Sequence, residues 1–232
     1  MWFFRKKRSV RPTADAPVFW QDYQGQRASV PGLDRPLDSV RFVVLDTEAT
    51  GLDAKQDQLL SIGAVAVQGG AIQVEDRFEC LVHQEYFPTP ETVSIHGIVP
   101  RPDSASLEER LALEALVTYL GASVLVGHHL SFDLLLINTL LRDWLGDVLY
   151  NRHLDTERLA RRIDPPSAYA AGAGAGSYSL DVLCAKYGIR PHDRHTAAGD
   201  AYLTALLFLK LVWHLRKRGA TTLKHLVQRT GN

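Results

Sequence analysis

Cysteine is scarce in this sequence of 232 residues, which contains only Cys80 and Cys184. Two isolated cysteines cannot form a disulfide framework or a CxxC zinc motif, so we expect a protein of a reducing compartment, the cytoplasm. Long apolar runs are also missing, because no stretch approaches the roughly 20 apolar residues that a membrane-spanning helix needs. The sequence therefore predicts no membrane span.

The sequence also has no net charge, because 26 Lys and Arg balance 26 Asp and Glu. Proteins that bind nucleic acid usually carry a basic surplus, which this average does not show. The balance conceals a pattern: residues 1–41 hold 8 basic and 4 acidic side chains, residues 42–141 hold 4 and 14, and residues 142–232 hold 14 and 8. The acidic middle is either solvated surface or a set of metal-binding carboxylates between ends that meet a polyanion.

The chain divides into three predicted parts: a basic N-terminal arm at 1–37, a central domain at 38–215 and a basic tail at 216–232. The arm begins MWFFRKKR, in which the apolar residues precede the basic ones, the reverse of a secretory signal peptide. A frayed basic tail is the interpretation we favour for this segment. A weak interfacial membrane anchor is the alternative.

Regular structure is predicted from residue 40 onward. Apolar and β-branched runs predict strands at 41–46, 59–67, 72–82, 123–127 and 152–155. Helical periodicity predicts helices at 107–120, 132–145, 156–163, 179–187 and 197–215, with Ser106 and Ser131 capping the first two. A strand meander followed by alternating strands and helices predicts an α/β fold, a mixed five-stranded sheet with helices on both faces.

Two carboxylates, Asp46 and Glu48, end the first predicted strand. Side chains two residues apart in a strand point to the same face. Two like charges this close need a cation between them, or one of them must be protonated. Oxygen ligands suit hard cations such as Mg²⁺ and Mn²⁺. The pair indicates a metal site, although an acidic strand end facing solvent would have the same sequence.

Two further acidic residues lie on predicted helices. Asp133 falls in a first helical turn, where the helix dipole alone would favour it. Asp200 lies on an apolar helix, where a buried carboxylate is costly unless it is paired or metal-bound. Small residues around it, Ala197, Ala198, Gly199 and Ala201, allow this helix to approach another backbone closely. His195 and His192 precede the helix, and no third nitrogen or sulfur ligand supports a zinc site.

Three motifs, taken in order, carry a resemblance to a known family: DTEATGL at 46–52, GHHLSFD at 127–133 and HTAAGD at 195–200. They resemble the motifs of the DEDDh 3′→5′ exonuclease family, which includes proofreading ε subunits and RNase T. The resemblance covers about residues 40–213. Weaker local matches lie at His96-Gly97-Ile98, Leu154-Asp155-Thr156 and Ser179-Leu180-Asp181.

This resemblance implies an RNase H-like fold and hydrolysis of phosphodiester bonds from a 3′ end. It assigns two divalent metal ions, Mg²⁺ or Mn²⁺, to four acids, Asp46, Glu48, Asp133 and Asp200, and the activation of water to His195. Four carboxylates would balance the charges of two divalent ions. An imidazole with an ordinary pKa of about 6.5 is suited to accept a proton near neutral pH.

The expected substrate-binding residues are Ala49, Thr50, Leu52, His129, Phe132 and Arg194. Ala49 and Thr50 match the family segment that cradles the 3′-hydroxyl of the terminal nucleotide, and Leu52 is expected to pack on its base. His129 departs from the family, which commonly has Asn there. Arg194 is predicted to contact a phosphate from its charge and its place beside His195.

The expected partner is the 3′ end of a single-stranded nucleic acid, with DNA preferred because the motifs resemble the ε type. Two alternatives stay open: a 3′→5′ exoribonuclease, and a subunit that uses the same fold mainly to bind a polymerase or repair complex.

Overall fold

The structure, a computed structural model, describes residues 16–51, 53–83, 106–164 and 178–227. Four sequence features lie outside these residues: the segment MWFFRKKR, Leu52, the match at His96–Ile98 and the Gly/Ala-rich stretch at 170–177. Within the described ranges the chain forms seven α-helices and six strands, with two short 3-10 helices at Gln26–Ser29 and Leu37–Ser39.

One mixed sheet organises the domain, with the strand order β4-β3-β2-β1-β5-β6. The strands are β1 (Phe42–Ala49), β2 (Leu59–Gln68), β3 (Ala71–Val82), β4 (Ser106–Leu107), β5 (Val124–Gly127) and β6 (His153–Asp155). β1, β2 and β3 form an antiparallel meander, whereas β5 is parallel to β1 and β6 is parallel to β5. Gly69 and Gly70 make the β2–β3 turn with positive φ angles of 60° and 77°, which favour glycine.

Helices cover both faces of this sheet. They are α1 (Val18–Gly25), α2 (Glu109–Leu120), α3 (Ser131–Leu145), α4 (Thr156–Ile163), α5 (Leu180–Lys186), α6 (Ala197–Lys217) and α7 (Leu223–Val227). Successive residues of β1 point to opposite faces. Val43 and Leu45 belong to the core with α1, α2 and α3, and Phe42 and Val44 belong to the core with α4, α5, α6 and α7.

The predicted α/β class is confirmed, with six strands in place of five. The additional strand is β4, in which Ser106 pairs with Leu81 of β3. Ser106 therefore does not cap a helix, and α2 begins at Glu109. Ser131 does not cap α3 either, because Leu130 already has helical backbone angles and donates its N–H to the Asp155 carboxylate at 3.1 Å.

Parts of the predicted arm and tail fold onto the domain. Trp20 and Tyr23 of α1 are buried against one core, and the Tyr23 hydroxyl donates to the Asn151 side chain. Leu223 and Leu226 of α7 are buried in the other core. Apolar burial thus extends past both predicted domain boundaries. No helix within the described ranges is long and apolar enough to cross a bilayer.

Candidate active site

Strand β1 presents Asp46 and Glu48 from the face that packs on α6. Both side chains are partly buried, and the intervening Thr47 is buried on the opposite face. The ladder with β2 is regular through Glu48 and becomes irregular between Glu48 and Ala49. The two acids therefore lie at the last regular pairs of a central strand, where the chain leaves the sheet.

Helix α6 begins directly over β2, beside Asp46. Gly63 is the β2 partner of Asp46, and a Cβ at Gly63 would lie 2.2 Å from the carbonyl carbon of Ala197 and 2.3 Å from the nitrogen of Ala198. Only glycine leaves room for the helix at this distance. The close approach predicted from the small residues of α6 is confirmed, and it carries Asp200 to the acids of β1.

Three carboxylates converge as a result. One ligand oxygen from each of Asp46, Glu48 and Asp200 lies within 4.8 Å of the other two. Asp200 is only 8% exposed, and its Oδ1 is buried with no hydrogen-bond partner. A buried anionic oxygen without a partner is unfavourable, and a cation at this point would satisfy it.

Asp133, the fourth predicted ligand, is held separately by Thr47. It is buried in the first turn of α3, and its Oδ1 accepts hydrogen bonds from the Thr47 backbone N–H at 2.9 Å and from Thr47 Oγ1 at 2.6 Å. The described structure thus brings three of the four predicted ligands into one tight group. Asp133 is fixed next to that group through the residue between Asp46 and Glu48.

Burial, with help from neighbouring charges, raises the pKa values of three of these acids, Asp46, Glu48 and Asp133. Burial, then the charges of Asp133, Asp200 and Glu48, raise the pKa of Asp46 well above its ordinary value. Burial, then the charges of Asp200 and Asp133, raise the pKa of Glu48 to about 7. Burial raises the pKa of Asp133, although the hydrogen bonds from Thr47 oppose the shift. Protons therefore compete with a metal ion for these oxygens near neutral pH.

The turn before α6 holds His195. Asp193 and His195 have left-handed φ angles of 50° and 63°, and the Oγ1 of Thr196 caps α6 by accepting from the Gly199 N–H at 3.1 Å. A Cβ at Gly199 would lie 2.0 Å from the Asp193 carbonyl oxygen, so glycine is required there. The turn places an exposed His195 one residue before the Thr196 cap of the helix that carries Asp200.

Arg194 is paired within the site. Its Nε and Nη2 donate to the two carboxylate oxygens of Asp181, at 2.7 Å and 3.1 Å, and its Nη1 donates to Oδ2 of Asp200. Sequence reasoning predicted a phosphate contact for Arg194 and missed this bridge. The match at Ser179-Leu180-Asp181 was the only sequence signal that pointed to Asp181.

Predicted substrate residues lie in two segments, the loop that follows β1 and the start of α3 with the residues just before it. The Thr50 hydroxyl donates to Asp57 Oδ1 and accepts from the Gln58 N–H, each at 2.9 Å. These bonds fix the backbone that follows Ala49, and sequence reasoning did not identify Asp57. On α3, Phe132 packs partly against the core. His129 Nε2 lies 2.8 Å from a Glu157 carboxylate oxygen, so its ring is engaged by α4.

Residues 43–208 match the model of the RNase_T family, which is described as an exonuclease family. The chain belongs to this exonuclease family. Three relatives illustrate the match. The DNA polymerase III subunit epsilon of Aquifex aeolicus is 32% identical over 187 residues, which cover 78% of this chain and 85% of that protein. The DNA polymerase III subunit epsilon-like protein of Rhodobacter capsulatus is 33% identical over 210 residues, which cover 88% of this chain and 28% of that protein.

The third relative is the PolC-type DNA polymerase III of Thermotoga maritima, 31% identical over 195 residues, which cover 83% of this chain. The chain spans only 13% of the length of that polymerase. The resemblance to DEDDh exonucleases that the motifs predicted is confirmed by these matches.

Solved structures of exonuclease I share the fold of this exonuclease. One superposes with a TM-score of 0.61 at 20% identity, covering 78% of this chain and 44% of that chain. The Escherichia coli enzyme in complex with a dT13 oligonucleotide superposes with a TM-score of 0.62 at 18% identity, covering 78% and 42%. The expected RNase H-like fold is confirmed.

Exonucleases of this family generally use divalent metal ions, and the acid cluster fits that use. Its donors are all carboxylate oxygens, which hard divalent cations prefer. Oδ1 of Asp200 has no hydrogen-bond partner, and burial raises the pKa values of Asp46 and Glu48, so the ionised forms of these acids are unfavourable here without a cation.

Proposed function

We propose that this chain is a metal-dependent 3′→5′ exonuclease that removes nucleotides from the 3′ end of single-stranded DNA. The observation that carries the proposal is the convergence of Asp46, Glu48 and Asp200 within 4.8 Å. The convergence occurs inside the segment that belongs to the exonuclease family. Phosphodiesters resist hydrolysis because their negative charge repels hydroxide, so a site for this reaction has to concentrate positive charge.

The metal ligands in this proposal are Asp46, Glu48, Asp200 and Asp133. Two ions, Mg²⁺ or Mn²⁺, supply charge neutralisation, an activated water and stabilisation of the leaving oxygen when they are bound. Asp46 and Glu48 come from one strand, and Asp200 reaches them because Gly63 lets α6 approach. Thr47 orients Asp133 with two hydrogen bonds, which also favour its ionised form.

His195 is the proposed general base. Its imidazole is exposed at the start of the helix that carries Asp200, so a proton it accepts from the attacking water can pass to solvent. Two hydrogen bonds hold the backbone of His195 in place. The Thr196 hydroxyl donates to the Asp193 carbonyl, and it accepts from the Gly199 N–H. General-base catalysis by a positioned histidine contributes about 10²–10⁴-fold to a rate.

Ala49, Thr50, Leu52 and Phe132 form the proposed site for the terminal nucleotide. The loop after Ala49 is held by the Thr50–Asp57 and Thr50–Gln58 hydrogen bonds, which would present its backbone in one conformation to a 3′-hydroxyl. Phe132 offers an aromatic surface for a base. Similarity to DNA polymerase III subunit epsilon supports DNA as the preferred substrate. The complex of exonuclease I with dT13 supports a single strand.

A polymerase partner is part of the same proposal. The chain matches a region that makes up 13% of a PolC-type polymerase, so in that relative the exonuclease segment is joined to a polymerase. Affinity purification of the tagged chain from its own cells tests for such a partner. Enrichment of a polymerase subunit would support the association, and a single species in sedimentation with no enriched subunit would contradict it.

A substrate panel tests the activity. Single-stranded DNA, double-stranded DNA, RNA and short oligonucleotides are incubated with wild-type protein and with the isosteric Asp200→Asn variant in Mg²⁺. The proposal predicts fastest release of mononucleotides from single-stranded DNA and almost none with Asp200→Asn. Faster degradation of RNA would instead support the exoribonuclease alternative, and equal rates for the two proteins would rule out the proposed site.

A further inference from the structure

One side chain, Arg194, bridges a proposed metal ligand and an acid outside the metal cluster. On one side its Nη1 donates to Oδ2 of Asp200. On the other side its Nε and Nη2 form a two-pronged pair with Asp181 of α5, at 2.7 Å and 3.1 Å. A guanidinium presents several donors in a fixed plane, so one arginine can hold both carboxylates at once.

The two ends of this bridge differ in their surroundings. The Asp200 side chain is 11% exposed and the Asp181 side chain is 60% exposed. The Asp181 pair therefore lies at the mouth of the site, where water screens it. The Asp200 pair lies inside, next to Asp46 and Glu48, and the Arg194 charge lowers the pKa of both of those acids.

The two oxygens of Asp200 are in different states as a consequence. Arg194 occupies Oδ2, whereas Oδ1 is buried with no partner. A divalent ion that used Asp200 would stand beside a guanidinium that cannot lose its charge at any ordinary pH. Two cations sharing one buried carboxylate repel each other strongly, because little water screens them.

We propose that Arg194 competes with a metal ion for Asp200: binding of that ion breaks the Arg194–Asp200 pair, and Asp181 retains the displaced guanidinium at the mouth of the site. The inference rests on the proposed metal-dependent function and adds to it an order of binding. The ion held mainly by Asp46 and Glu48 meets no such competitor and binds first. The ion that needs Asp200 binds more weakly and second.

Displacement from Asp200 also moves the Arg194 guanidinium to a position from which it can contact substrate. The guanidinium that leaves Asp200 is still tethered by Asp181, and it then has donors free to meet a substrate phosphate. The same residue thus neutralises the acids when the ion is absent and faces the substrate when the ion is present. Asp181 is a positioning residue, because its two hydrogen bonds keep Arg194 at the mouth of the site.

Binding of Mn²⁺ without substrate tests the competition. Electron paramagnetic resonance of free Mn²⁺ gives the affinity of each site in wild type, Arg194→Gln and the control Arg190→Gln, which removes an exposed arginine of the preceding loop. Arg194→Gln is expected to tighten the weaker site by about tenfold, equivalent to about 1.4 kcal/mol. Arg190→Gln is expected to leave both affinities within about twofold, because water and salt screen an exposed charge. An unchanged or weaker affinity in Arg194→Gln would overturn the inference.

A second measurement follows the wild-type protein, and a variant serves only to assign the resonance. The ¹⁵N resonance of the Arg194 side-chain Nε–H, assigned by its absence in Arg194→Lys, is followed as Mg²⁺ is added. We expect it to shift at the concentrations that fill the weaker site and to stay protected from exchange, because Asp181 keeps its bond. If the resonance does not shift with Mg²⁺ although Mn²⁺ fills both sites, the proposed displacement of Arg194 is wrong.

Failure of this inference differs from failure of the proposed function. If wild type binds two Mn²⁺ ions and Arg194→Gln binds them no more tightly, the competition is wrong and the metal-dependent function stands. If neither protein binds Mn²⁺, both the function and the inference are wrong.

Discussion

Gly63 of β2 lies against the Ala197 peptide of α6 so closely that a Cβ at this position would approach the Ala197 carbonyl carbon to 2.2 Å. Gly63 is also the cross-strand partner of Asp46. One glycine therefore sets the distance between the strand that carries two of the acids and the helix that carries the third. Packing and chemistry depend on the same contact.

Gly63→Ala is expected to push α6 away from β2. Overpacking against backbone atoms costs about 1–3 kcal/mol, and the shift separates Asp200 from Asp46 and Glu48. The midpoint temperature of thermal unfolding and the affinity for Mn²⁺ should both fall. Gly32→Ala is the matched control, since a Cβ at Gly32 meets nothing within 4 Å. Equal Mn²⁺ affinity in Gly63→Ala and wild type would show that this contact does not position Asp200.

The raised pKa of Glu48, about 7, makes metal-free stability depend on pH. A carboxyl whose pKa is higher in the folded protein than in the unfolded chain stabilises the fold while protonated, and this contribution is lost as pH rises from about 4.3 toward 7. In EDTA, Glu48→Gln is therefore expected to exceed wild type in unfolding free energy by about 1–2 kcal/mol at pH 8. The difference should shrink toward pH 5.

Urea unfolding at several pH values measures this difference between the two proteins. Using the difference removes other titrating groups from the comparison, such as His128, whose pKa burial lowers to about 4. Glu79→Gln, which changes an exposed acid on β3, should show no such trend. A Glu48→Gln difference that stays flat with pH would contradict the raised pKa that burial and the neighbouring acids give Glu48.

The Thr47 hydroxyl is expected to control the ionisation of Asp133. Thr47→Val keeps the β-branched shape and the backbone hydrogen bond but removes the 2.6 Å bond from Oγ1. A hydrogen bond to a charged group contributes about 1.5–3 kcal/mol, so kcat/KM at pH 7 should drop by about tenfold or more. The acidic limb of the pH profile should move to higher pH. Thr47→Ser, which retains the hydroxyl, should keep the wild-type limb, and a limb unmoved by Thr47→Val would contradict this role.

Local periodicity was enough to predict most of the fold and the two acids of β1. Alternation in the strand places Asp46 and Glu48 on one face, and the small residues of α6 predict its close approach, because both features depend only on neighbours in sequence. Helix α4 was predicted at 156–163, its observed bounds.

Other features depend on contacts distant in sequence. Ser131 was predicted to cap α3, but Leu130 is the N-cap residue, and its N–H donates to the Asp155 carboxylate from 25 residues away in the sequence. Trp20 and Tyr23 lie in the segment that was predicted to be an arm, and their burial depends on contacts with α2 and α3, which are distant in sequence. Arg194 was predicted as a phosphate contact from its charge. Its pairing with Asp181 and Asp200 depends on how α5, the turn and α6 come together.

The central claim is that the acids of β1 and α6 bind metal ions that cleave a strand from its 3′ end. The most direct measurement is the stepwise shortening of a 5′-labelled single-stranded DNA by wild type and by the isosteric Asp46→Asn, in Mg²⁺ and in EDTA. Metal-dependent shortening from a free 3′-hydroxyl, with a loss of at least about 100-fold in Asp46→Asn, is the predicted result. Shortening that persists in EDTA, or at the wild-type rate in Asp46→Asn, would contradict the claim.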